Sequence, residues 1–178
     1  MTTVKPNENV RREGIACKVR FKKNPLYTAN VYEFFVAREP TKPRADIIFI
    51  PLSPKQLEAV KKLRADQHKN GNRGGIGYST VRTYPANHSL QWTTFDPMKG
   101  NWDIKPVRLG IGTLLHHAIT EHLAANYPKH RVHHELVTTR ERREHLKAMG
   151  INPEQAYKVE EYRDIIRRYI EKRKAQGK

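Results

Sequence analysis

Val107-Arg108-Leu109-Gly110-Ile111-Gly112-Thr113-Leu114-Leu115 carries two glycines, one residue apart, at the point where an irregular basic stretch turns into an amphipathic helix. Glycine lets the backbone come close to a bulky anion. The first N–H groups of a helix lack intrahelical acceptors, and the positive end of the helix dipole stands behind them, so this junction reads as a phosphate cradle. The same two glycines would also serve a tight turn or a close helix–strand contact. From Thr113 onward, Leu114, Leu115, Ala118, Ile119, Leu123 and Ala124 recur at helical spacing, and Tyr127-Pro128 ends the run. Arg131 to Val137 then reads as a strand, and Thr138 to Met149 as a short helix closed by Gly150.

Upstream, Tyr78–Thr83 and Ser89–Phe95 form a hairpin through Pro85-Ala86-Asn87, and the second strand leads into the glycine loop through Asp96-Pro97. Before them come strands at Ile15–Lys22, Ala29–Ala37 and Ala45–Ile50, with Glu39-Pro40-Thr41-Lys42-Pro43 as the turn between the last two. Ser53 caps a helix that begins at Pro54 and carries Leu57, Val60 and Leu63. A second glycine cluster, Gly71 to Gly77, precedes a strand rather than a helix and reads as a surface loop. Downstream, Asn152 is the cap and Pro153 the first residue of a terminal helix. Gln155 completes its box, and Ala156, Val159, Tyr162, Ile166 and Tyr169 share a stripe.

Glycine loop, helix, strand, helix and a closing Gly-plus-apolar pair is the order of the GNAT family of N-acetyltransferases. Val107–Ile151, extended to residues 88–151 by the hairpin, resembles the acetyl-CoA-binding core of that family. Gly110 and Gly112 match its loop pattern. Val107 stands at the usual Arg/Gln position with Arg108 beside it, Thr139 and Leu146 stand where Asn and Tyr are usual, and Ile151 replaces Phe. The resemblance implies an α+β fold, with a mixed, largely antiparallel central sheet flanked by helices and a C-terminal helix in place of the family's final hairpin. It also implies acetyl-CoA as cofactor, with Arg108, Leu109, Gly110, Ile111, Gly112 and Thr113 on its phosphates. Acyl transfer to an amine needs a base and an oxyanion donor as well. Asp96 and His88 are the titratable groups in or beside the strand before the loop, and backbone N–H groups around Thr93 to Phe95 are the donors. Leu146 cannot protonate a departing thiolate, and on a helix His145 points about 100° away from it. The alternative is a catalytically silent basic protein that keeps this fold and associates with nucleic acid.

The 178 residues suit one domain, with residues 1–13 as a loose basic segment, 14–151 as the acetyltransferase-like body and 152–178 as a basic amphipathic helix. A net charge of +16 points to a polyanionic partner, nucleic acid or nucleoprotein, engaged by basic groups at both ends of the chain. Trp92, Trp102, Tyr78 and Tyr84 could stack on bases or pack in the core. A single cysteine, Cys17, lies in a strand and reads as a buried structural thiol of a cytoplasmic protein. No apolar run reaches the ~20 residues of a membrane span. The nine histidines lack the three- or four-residue helical spacing of metal ligands: His117 to His122 is five and His116 to His122 is six. They read as polar-face groups that charge below about pH 6.5, and no metal is expected.

Overall fold

A computed structural model of the chain describes residues 13–23, 30–41, 48–69, 77–96, 110–134 and 140–177. The order is β1 (Gly14–Lys22), β2 (Asn30–Thr41), β3 (Ile48–Pro51), α1 (Pro54–Lys69), β4 (Gly77–Tyr84), β5 (Ser89–Asp96), α2 (Ile111–Asn126), β6 (Arg131–His134), α3 (Arg140–Met149), β7 (Tyr157–Lys158) and α4 (Val159–Ala175). The fold is α+β. Its seven described strands form one mixed, mostly antiparallel sheet in the order β3-β1-β2-β4-β5-β6-β7. The one parallel pairing, β5 with β6, runs from Ser89↔Arg131 to Trp92↔His134.

Local chemistry explains most element ends. Ser53 and Gln56 exchange reciprocal bonds at the start of α1: Ser53 N–H donates to Gln56 Oε1 (3.0 Å), and Gln56 N–H donates to Ser53 Oγ (3.3 Å). At the end of α3, Gly150 is left-handed (φ 90°) and Ile151 N–H returns to Leu146 C=O, a Schellman closure that buries Ile151. At Gly14 a Cβ would collide with the carbonyl of Ile50, so only glycine lets β3 lie this close to β1.

Two expected boundaries move. Glu39-Pro40-Thr41 is not a turn, because β2 continues through it and pairs Pro40 with Ile15. Proline has no N–H to donate, but β4 pairs with β2 over Asn30–Val36, so among the described residues this end of β2 has a neighbour on one side and tolerates it. The terminal helix begins at Val159, not Pro153. Asn152 Oδ1 accepts from Glu154 N–H in a local turn, while Tyr157 enters β7 opposite Val132. The Tyr157 hydroxyl then accepts Asn152 N–H and donates to Gln155 Oε1. Sheet pairing and burial of Tyr157 outweigh a good helix cap.

The core is one cluster running from Ile15, Cys17 and Phe34 through Val81, Leu90 and Trp92 to Leu115, Ile119, Leu123, Val132, Leu146, Tyr162 and Ile166. Helix α4 therefore belongs to the body: Val159, Tyr162 and Ile166 are buried. Cys17 is buried, and loss of hydration pushes its thiol up to about 12. Among the described residues no helix is long and apolar enough to cross a membrane.

Candidate functional site

Because β5 and β6 run the same way, α2 between them must return antiparallel. Its N-terminus therefore lies at the end of the sheet where β5 finishes at Asp96, and its C-terminus lies where β5 begins. The second end is closed. Arg131 N–H donates to His88 C=O, His130 N–H to Tyr127 C=O, and the rings of His88 and His130 meet edge-on at 5.2 Å. Sixteen residues of helix span about 24 Å, so the chain brings His88 to the end opposite the glycine junction. His88 is exposed and left-handed (φ 47°) after the 3-10 turn Pro85–Asn87. Asp96 is the last residue of β5, paired with Tyr78, on the junction side.

At the junction Gly110 is the N-cap, left-handed with φ 74°, and makes no side-chain cap bond. The first intrahelical bond is Leu114 N–H to Gly110 C=O, so the N–H groups of Ile111, Gly112 and Thr113 precede the helical ladder. No acidic residue occupies the first turn, and a Cβ on Gly110 would meet no atom of the described residues within 4 Å. Ile111 and Thr113 are buried and Gly112 is half-buried. Arg108 and Leu109 lie outside the described residues, as do Trp102 and the second glycine cluster up to residue 76.

Helix α3 reaches this end through His145, whose Nε2 is 3.1 Å from Thr113 Oγ1. Leu146, one position on, is fully buried, so the 100° step that takes it away from the site turns His145 toward it. Burial first, then the charges of Arg142 and Arg173, hold His145 below the usual imidazole range. On β5 the pairing with β4 shifts between Thr80↔Thr94 and Val81↔Trp92, leaving Thr93 as the bulged residue just past the last recorded β5–β6 pair.

Behind this end lies a buried polar network that the helical spacing of the histidines did not reveal. Tyr162 Oη is 2.8 Å from His116 Nε2 and 2.7 Å from His134 Nε2, and Arg142 Nη2 is 3.4 Å from His116 Nδ1. The edge of the His116 ring meets Trp92 at 4.6 Å. These histidines are not polar-face groups. His116 is 0 % exposed, and desolvation first, then Arg142, His134, His145 and His117, lower it well below 6.5. His134 is lowered to about 3 by burial, then by Arg142 and His133. Since Arg142 can only donate, neutral His116 accepts at Nδ1 and donates from Nε2 to Tyr162, whose hydroxyl donates onward to His134. Trp92 is committed as well: its Nε1–H donates to buried Ser79 Oγ (2.9 Å), which removes it from base stacking. Tyr84 donates to Gln91. Among the described residues no three His, Cys, Asp or Glu side chains group as metal ligands.

Compared with protein-family profiles, characterised proteins and solved structures, the chain matches none significantly.

Proposed function

We propose that the chain is an acetyl-CoA-dependent N-acetyltransferase of the GNAT type. The observation that carries this reading is the start of α2: a left-handed glycine at the cap, three N–H groups ahead of the helical ladder and no acid in the first turn, in the connection between two parallel strands. A helix start of this kind suits a diphosphate, because donors without intrahelical acceptors and the dipole act on the same anion. A Cβ at Gly110 would meet no described atom within 4 Å, which leaves room for an anion to approach the backbone there. In this reading the N–H groups from Leu109 to Thr113, with Arg108, hold the CoA pyrophosphate. Bound acetyl-CoA would supply a thioester-activated acyl carbon.

The chain's own groups do the rest. Backbone N–H groups about the Thr93 bulge face an oxyanion, and Asp96 at the end of β5 accepts the proton of the incoming amine. His145, neutral at pH 7, positions α3 against Thr113. His88, at the far end of β5, takes no part.

Calorimetric titration with acetyl-CoA, beside ADP at matched salt, tests the reading. Saturable binding with acetyl-CoA preferred is the expected result, and equal affinity for ADP would reduce the junction to a phosphate trap. Gly112→Glu sharpens the test. Glutamate at the second helical position is favourable to the helix, by propensity and dipole, so thermal stability should hold while acetyl-CoA affinity falls about tenfold or more. Unchanged affinity in that variant removes the pyrophosphate from this loop.

A further inference from the structure

The C-terminal end of α3 and the outer face of α4 enclose an open groove of about 730 Å³. Its α4 wall consists of residues 165, 168, 169, 172, 173 and 176, a single stripe at helical spacing. Met149 and Ile165 make its floor apolar, while Lys147, Arg168, Lys172 and Arg173 line it, and among the described residues no acidic one does. The acids of α4 lie elsewhere: Asp164 engages Arg163 and Arg167 at 3.1 and 3.2 Å on a neighbouring face. Lys147, Arg168 and Lys172 have no acidic partner among the described residues. The half-buried Tyr169 ring stands in the middle of this stripe, with the Arg173 guanidinium 5.9 Å from its centre.

We propose that this groove binds single-stranded nucleic acid. Four cations without lining carboxylates attract a string of phosphates, and in a chain of net charge +16 the long-range field draws the same partner in. The stacked Tyr169–Arg173 pair, beside an apolar floor, offers a planar guanidinium on which a base can lie without its sequence being read. The volume admits a base with its flanking phosphates. The proposal does not depend on the acetyltransferase reading.

The test is fluorescence anisotropy of the full chain with a labelled strand of about ten nucleotides, as RNA and as DNA, across a salt series. Arg168→Glu with Lys172→Glu should weaken binding about tenfold or more and make the log–log salt dependence shallower by about 1.4, the loss of two phosphate contacts. Both residues are exposed, and an unchanged circular-dichroism melt will show that the fold is intact. Lys55→Glu with Lys62→Glu makes the same change of charge on the exposed surface of α1 and should cost less than about threefold. Equal losses in the two double variants would reduce the binding to net charge and overturn the proposal, as would no loss in either. Preference for a duplex of the same sequence would overturn it too. Displacement of the strand by CoA would assign the groove to the cofactor instead.

Discussion

The inner flank of α2 and its N-terminal end treat polar groups in opposite ways. On the flank, His116, Tyr162 and His134 satisfy one another in a buried chain of short bonds. At the end, the first N–H groups precede the helical ladder behind a glycine cap, and in the groove Lys147, Arg168 and Lys172 have no acidic partner among the described residues. Both regions involve the same helices. The difference teaches which groups hold the fold and which are free for a ligand, because buried polar groups must be paired whereas groups open to solvent need not be.

Acid should break the flank first. His116 and His134 have folded pKa values below the unfolded 6.5, so between those values the unfolded chain binds more protons. Stability is complete above about pH 6.5 and falls as the pH drops, by about 2 kcal/mol at pH 5 from His134, with His116 acting in the same direction. Denaturant titrations at pH 7, 6 and 5 will read this, and a flat profile would mean that the imidazoles are charged in the fold. Tyr162→Phe comes next, since it strands two ring nitrogens. A loss of about 3 kcal/mol is expected at pH 7, with acetyl-CoA affinity unchanged. A loss below 1 kcal/mol would mean that water replaces the hydroxyl. The smallest effect is expected at the open end. Gly110→Ala meets no atom and pays only for φ 74°, about 1 kcal/mol or roughly 2–4 °C in Tm. A fall several times larger, read by calorimetry, would show that the space beside Gly110 is closed by packing.

Much of the architecture was legible because local signals and tertiary demands agree. Branched and aromatic residues between turn signals mark β1, β4 and β5, Ser53 before Pro54 marks the start of α1, and Gly150 marks the end of α3. The glycine junction was legible for the same reason. The groove was visible only as a count of cations: α4 places Arg168, Lys172 and Arg173 on one face, but Lys147 joins them only because α3 packs alongside. His145 was hidden by its neighbour, since the sequence drew attention to the position of Leu146 rather than to the turn beside it.

By itself the sequence determined the alternation of strands and helices, the unacidified glycine-rich start of α2, and the excess of positive charge, all properties of contiguous residues. Only the tertiary structure decided the parallel pairing of β5 with β6, the burial of His116 and His134, and the delayed start of α4. Each of these depends on groups distant in the chain. Tyr157 gives up a helical place because Val132 offers it a strand, and His116 can stay neutral in the core because Tyr162, forty-six residues away, satisfies its ring.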